Sequence, residues 1–519
     1  MTTTFTVLSP TDDVAVALSE LSAGANAANV TLIQTIPFGH KFALRKLPAG
    51  STIKKYGYEI GVASRDIEAG EHVHVHNVSF DQRILETTPE IAIELAPTPE
   101  IPSWAKDATF LGYRWPDGSS GTANHVLVMS TVNCSATVVR EAVSRLRTYL
   151  PQYPNVDNIV GITHGGGCGL SSGSPQHEQF ARCISNVSQH PNVARSFLVS
   201  LGCESAPLKG DGLYHIEQLV KKDPFKRTAE VITIQDVGGS EAAIDKVVST
   251  VLKWLPEINE RKRVPIPASE LIVGTNCGGS DGFSGLTANP LVGKISDVLA
   301  ALGATSVLAE TTETWGGHLP ILKRAKSKAV GESLMARFNW WDKYFRAFSG
   351  LSDFNYTLDG NPSSGNKKGG ITTIIEKSLG AATKGGTTGL SAVYLYGERV
   401  ERHKGFVFMD TPGLDQVSVT GLLCGGCNFI LFTTGRGSCF GTALAPTLKI
   451  ATNAEIFRHM KNDMDFDAGR LLHGETQEQL AQELFSQMLD VASGKAKTHS
   501  QRLGYGDHEF ELWNIGPTY

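Results

Sequence analysis

From His125 to Asn453 the chain repeats one unit: a short apolar run, a polar turn, and often a helix-like stretch behind it. His125 to Ser130 leads into Thr131-Val-Asn-Cys-Ser135 and the helical pattern Ala136 to Leu150, and Asn158 to Ile162 leads into Thr163-His-Gly-Gly-Gly-Cys-Gly169. Ser196 to Leu201 leads into Gly202-Cys-Glu204, and further runs lie at Leu271 to Val273, Thr305 to Ala309, Gly405 to Met409, Phe429 to Phe432 and Leu448 to Ile450. Strands buried on both faces read as unbroken apolar runs, and helical crossovers join them in parallel. The pattern therefore predicts β-α units with mostly parallel sheets, whose strand ends share one polar rim. Glu257 to Pro267, charged and with two prolines, marks a boundary between a first α/β part, 109–262, and a second, 263–519.

The most polar of these turns is Thr275-Asn-Cys-Gly-Gly-Ser-Asp-Gly-Phe-Ser-Gly-Leu-Thr-Ala-Asn-Pro290, which lies before the helix-like Leu291 to Leu302. Its glycines let a ligand approach the main chain, and Asn276, Cys277, Ser280 and Asp281 would line a hollow. In open α/β sheets such hollows lie at the carboxyl ends of strands.

Residues 1–84 follow another rhythm, with short strands predicted at Val14 to Leu18, Leu32 to Ile36, Lys41 to Leu44, Thr52 to Ile53, Glu59 to Ala63 and Glu71 to His76. Turn signals such as Pro48-Ala49-Gly50 separate them, which predicts a small β-rich domain. Within Gly70-Glu-His-Val-His-Val-His-Asn77, alternation along a strand would send His72, His74 and His76 to one side, about 7 Å apart. Three imidazoles there suit a divalent metal or a carboxylate; a solvated edge strand is the plainer alternative. His40 and Lys41 form a second polar pair. Residues 85–108, with Pro89, Pro97, Pro99 and Pro102, read as a semi-extended linker, long enough to let the first domain move or reach a neighbouring subunit of a homo-oligomer.

At 519 residues the chain exceeds one core, and three domains are expected. A net charge of -5 gives no nucleic-acid footprint and no membrane-surface patch, so a small-molecule partner is expected. Neither a membrane span nor a signal peptide is evident, which makes the cytoplasm the default compartment. The eight cysteines are then expected as thiols. Cys134, Cys168, Cys203, Cys277 and Cys439 follow apolar runs, where small corner residues are the simpler reading than reactive groups. Cys424-Gly-Gly-Cys427 lacks the second pair that a four-cysteine zinc site requires. Gly350 to Thr388, poor in apolar residues, reads as a long surface loop, and loops of that kind serve as binding loops or lids.

No G-x-x-x-x-G-K-[ST] loop and no G-x-S-x-G elbow occurs, which leaves a rim of amides, hydroxyls, carboxylates, thiols and histidines. Such a surface suits a small, polyhydroxylated, anionic substrate. His40-Lys-Phe-Ala-Leu, Lys55-Tyr-Gly, the Gly70 to Asn77 segment, Gly112-Tyr-Arg-Trp-Pro-Asp-Gly118, Gly278-Gly-Ser-Asp-Gly282, Thr287-Ala-Asn-Pro290, Gly360-Asn-Pro-Ser-Ser-Gly-Asn-Lys367, Glu376-Lys-Ser-Leu-Gly380 and Thr433-Thr-Gly-Arg-Gly437 follow in order. Together they resemble the altronate and galactarate dehydratases over nearly the whole chain.

The resemblance implies an N-terminal domain of the antifreeze-like (SAF) type, a two-part α/β catalytic region, and a divalent metal, iron(II) or manganese(II). It also implies loss of water from a sugar acid to give a 2-keto-3-deoxy acid. A cation that chelates the carboxylate and 2-hydroxyl would stabilise the enediolate while a base takes the α proton and an acid assists the 3-hydroxyl. His72 and His74 are expected at the metal or the metal-bound carboxylate, with His40 beside them. Asn276, Ser280, Asp281, Lys367, Glu376 and Arg436 are expected to hold the polyol and its distal end, and His164 and His177 are alternative acid/base groups. The Gly70 to Asn77 form is more similar to altronate dehydratases and sulfolactate sulfo-lyases, while Arg436 facing a second carboxylate keeps galactarate open. A non-catalytic sugar-acid sensor and an iron-sulfur dehydratase are the remaining alternatives.

Overall fold

A computed structural model of the chain describes residues 4–80, 93–94, 96–204, 229–349 and 360–516. The N-terminal part is a small domain of short antiparallel strands, as expected of the SAF type. Phe5–Thr6, Val14–Ala17, Lys41–Ala43 and His72–Val73 form one sheet in that order, and Thr52–Lys55, Tyr58–Ala63 and Val78–Ser79 form another. Two expectations fail here. No strand runs from Leu32 to Ile36: Leu32 and Ile36 are buried singly, and Ile36 meets Leu21 only at an isolated bridge. The strand expected at Glu71 to His76 keeps only His72–Val73, because Asn77 turns the chain back. Its amide accepts from His74 N at 2.9 Å and donates to the His72 carbonyl at 2.9 Å.

The first α/β part carries a parallel sheet ordered Asn158–Ile162, His125–Ser130, Val193–Ser200, Ala229–Thr233. Helices Ala136–Arg147 and Ser240–Asn259 cover one face through Val139, Leu146, Val247 and Val251. The second part carries a seven-stranded parallel sheet, ordered Val393–Tyr394, Gly405–Met409, Thr305–Leu308, Ile272–Cys277, Phe429–Thr434, Thr447–Ala451, Phe466–Asp467. Helices Ala288–Ala301 and Gln477–Ala492 cover one face. The other faces the first sheet across a shared core in which Leu127, Met129 and Leu198 pack with Ile272, Val307 and Ile430. Residues 264–267, inside the expected boundary, are themselves a strand antiparallel to Thr109–Arg114, so this segment ties the two parts together.

The stretch expected as a surface loop is mostly something else. Residues 350–359 lie outside the described residues, but Ser364–Lys368 and Ile374–Ala382 are helices. Thr373 caps the second by accepting from Glu376 N, and Ile374, Ile375 and Leu379 enter the SAF core beside Ile53, Ile60 and Val73. At about 1.5–3 kcal/mol for each buried side chain, this helix is a substantial part of what holds the SAF domain in place. Of the expected linker, 85–92 and 95 lie outside the described residues. No helix among the described residues is long and apolar enough to cross a membrane.

Candidate active site

His40 immediately precedes the strand Lys41–Ala43, whose partner strand pairs Phe42 with His72. That register brings the two imidazoles together, His40 Nδ1 and His72 Nε2 lying 3.0 Å apart. The turn at Asn77 adds the third ring, with centroids 4.8 Å from His40 to His74 and 5.4 Å from His72 to His74. One ring nitrogen from each of the three lies within 4.8 Å of the others. Convergence thus comes from a strand pair and a turn, in place of the single strand face predicted. His76 is exposed, its ring 5.4 Å from His72.

Burial, with the neighbouring imidazole and Lys41 adding to it, pushes His72 down to about 4 and His74 down to about 3. Burial also lowers His40. Three imidazoles held neutral at physiological pH, with His74 Nδ1 buried and unpartnered among the described residues, are a donor set that fits a divalent first-row metal.

The second part of the chain builds the opposite wall. His40 Nε2 lies 3.3 Å from the Lys368 carbonyl, and the Phe38 and Phe283 rings meet at 4.2 Å. Close approach explains two glycines: a Cβ on Gly282 would lie 2.2 Å from Gly39 O, and one on Gly370, at φ +100°, would lie 2.4 Å from the same atom. Below this contact Glu376 receives Lys41 Nζ at 2.9 Å and Lys55 Nζ at 2.7 Å, together with Thr372 N and Oγ1. Burial opposes the charge on Glu376, but the two ammonium groups outweigh it and hold the carboxyl well below its usual range.

A further polar cluster sits at the carboxyl ends of the seven-stranded sheet. Fully buried Lys384 and Glu310 are ion-paired at 2.5 Å, and Glu310 Oε2 also accepts from Cys277 N at 2.9 Å. Glu310 holds a left-handed backbone, φ +69°, a strained choice for a non-glycine residue and one concentrated at functional sites. Burial and the Glu310 charge push the Cys277 thiol up to about 12. Lys377 pairs with Glu313, and Asn276 Nδ2 lies 3.3 Å from Asp415 Oδ1.

The predicted site residues divide accordingly. His40, His72 and His74 come together. Lys367 is half-buried and Arg436 exposed, and among the described residues neither has a carboxylate partner. Ser280 lies in the loop between the clusters, its carbonyl accepting from Asn366 Nδ2 at 2.8 Å, and fully buried Asn276 belongs to the rim. Four others bond groups of the protein itself. Asp281 accepts from Phe283 N, Ser284 Oγ, Thr452 Oγ1 and Asn453 Nδ2, so its carboxylate fastens the loop and is not open to a polyol. Glu376 is likewise saturated. His164 has both ring nitrogens on backbone groups, the Ser130 carbonyl at 2.9 Å and Gly166 N at 3.2 Å. His177, in the first-part helix Pro175–Ser188, accepts from Gly173 N at 3.0 Å. The residues missed are Glu310, Glu313, Lys377, Lys384 and Asp415. Glu310 and Glu313 had a signal, their place just after an apolar run.

Known families account for almost all of the chain. The altronate/galactarate dehydratase SAF domain matches residues 3–81, the D-galactarate dehydratase/altronate hydrolase second domain matches 112–259, and the D-galactarate/altronate dehydratase C-terminal domain matches 268–518. The chain belongs to the altronate/galactarate dehydratase family. It is 35% identical over 514 residues to the altronate dehydratase of Escherichia coli (strain K12), covering 98% of each. To that of Bacillus subtilis (strain 168) it is 34% identical over 502 residues, 94% of this chain and 95% of the relative. It is equally similar, 36% over 516 residues, to the galactarate dehydratase (L-threo-forming) of Escherichia coli (strain K12), covering 98% of this chain and 96% of the relative. Members of this dehydratase family with either substrate thus stand at the same distance, and the chain is a hydro-lyase of sugar-acid type.

Proposed function

We propose that the protein dehydrates altronate to a 2-keto-3-deoxy acid, with His40, His72 and His74 holding a divalent iron or manganese ion. The observation behind this reading is the convergence of three neutral imidazoles at the seam between the SAF domain and the glycine-laced loops. The ion, when bound, draws electron density from the substrate carboxylate and so makes the adjacent C–H more acidic. The remaining work falls to side chains. Lys367 and Arg436, cations without a carboxylate partner among the described residues, attract and orient the acid. His76, exposed beside His72 and outside the triad, takes the α proton. Asn276, in the rim, holds a hydroxyl of the chain.

The test is incubation of the protein plus iron(II) or manganese(II) with altronate, galactarate and sulfolactate, following 2-keto acid or sulfite. Altronate turned over fastest supports the reading. Galactarate or sulfolactate as the preferred substrate replaces the substrate assignment, and no turnover of any of them removes the reading altogether.

A further inference from the structure

Asp415 differs from the ion-paired carboxylates around it. Glu310 has Lys384, Glu313 has Lys377 and Glu376 has two lysines, whereas among the described residues Asp415 has no cation within ion-pair distance. Its one side-chain partner there is the Asn276 amide, at 3.3 Å. It sits hard against the loop, since a Cβ on Gly278 would lie 2.4 Å from its Oδ2. Asn276 is fully buried, and its Oδ1 has no partner among the described residues, an acceptor waiting for a hydroxyl or a protonated acid. The same loop reaches Gly39, the neighbour of His40, at Gly282. A second segment makes the same connection: Asn361 bonds Glu313 and Lys377, and Lys368 meets His40. Triad and carboxyl therefore lie on walls joined by two short segments.

From this placement we propose that Asp415 is the general acid of the dehydration and Asn276 Oδ1 the group that positions the departing hydroxyl. The proposal rests on the function proposed above. When the α proton leaves, its electron pair stays on the substrate, delocalised into the carboxylate; in the following step that pair forms the C2–C3 double bond while the C3–O pair leaves with oxygen. The Asp415 proton goes to that oxygen and releases water. Asp415 is left as carboxylate, the enol becomes the keto acid, and solvent returns the proton to Asp415. Burial, then the Glu310 and Glu313 charges, push the Asp415 carboxyl up to about 7, against the pull of the Asn276 bond and Lys384. An acid poised there is still protonated in part at neutral pH.

The experiment is Asp415→Asn in metal-loaded enzyme in D2O, reading product formation and exchange of the α hydrogen together. Product should fall at least about 100-fold, as loss of a general acid does, while α exchange continues. Loss of both in parallel, or near-normal product formation, overturns the proposal. Wild-type enzyme supplies a second reading that does not depend on how the variant folds: the ratio of elimination to exchange should drop as pH rises through about 7. A ratio flat from pH 6 to pH 9, a range over which the acid fraction of such a group falls about 100-fold, also overturns it. Wild-type enzyme with neither exchange nor product on any sugar acid instead defeats the function reading, a separate outcome.

Discussion

Lys41 Nζ meets Glu376 Oε1 at 2.9 Å, two fully buried groups 335 positions apart in the chain. With Lys55 on the same carboxylate, this contact joins the SAF domain to the helix Ile374–Ala382. Burial and the Lys55 charge push Lys41 down to about 8, yet Glu376 stays ionised between the two. Glu376→Gln would leave two ammonium groups buried without their counter-charge. It should cost about 3–5 kcal/mol in denaturant unfolding, the range for breaking one side of a buried pair. A loss under about 1 kcal/mol would show that the knot contributes little.

The same carboxyl sets an acid limit. Its folded value lies below the ordinary 4.5, so its contribution is whole above about pH 4.5 and drains away as pH falls below that. Wild-type stability should therefore decline on acidification more steeply than that of Glu376→Gln. Parallel pH profiles would remove Glu376 from the account.

Metal content separates the imidazoles. His72→Ala and His74→Ala should each lower turnover at least about 100-fold and also lose the ion, about one per chain in wild type, by elemental analysis. His76→Gln should keep the ion and lose both turnover and α exchange. Retained metal in both alanine variants would move the cation site elsewhere.

Gly370 is the narrow point of the domain seam. With φ +100° and Gly39 O 2.4 Å from any added Cβ, Gly370→Ala should cost about 1–3 kcal/mol, measured in denaturant unfolding. Unchanged stability would mean the seam tolerates the methyl.

Thiol accessibility is the least demanding check. All eight cysteines are free; Cys134, Cys168, Cys203 and Cys439 are exposed, while Cys183, Cys277, Cys424 and Cys427 are buried. A chromogenic disulfide reagent should titrate the first group rapidly in native protein and the second only after unfolding. Rapid reaction of Cys277, whose thiol burial pushes up to about 12, would contradict its place behind Glu310.

Much of this architecture was legible because apolar runs such as Phe429 to Phe432 are buried on both faces, the mark of an interior strand in a parallel sheet. His72 and His74 were legible as a pair but not as a strand face, since the turn depends on two hydrogen bonds from Asn77 that no periodicity encodes. Asp281 and Glu376 misled because an acidic residue in a glycine-rich segment gives no sign of whether its partners are protein or ligand. Lys384 lies in a stretch so poor in apolar neighbours that its complete burial has no local signature. Asp415 became visible only through what surrounds it.

Glu376 and Lys377 are consecutive, yet one reaches toward the SAF lysines and the other toward Glu313 at the rim. A single peptide unit therefore couples the buried knot that holds the small domain to the polar rim of the seven-stranded sheet. Drift of the small domain would pull on the helix that carries both contacts, so seam and rim are mechanically one piece.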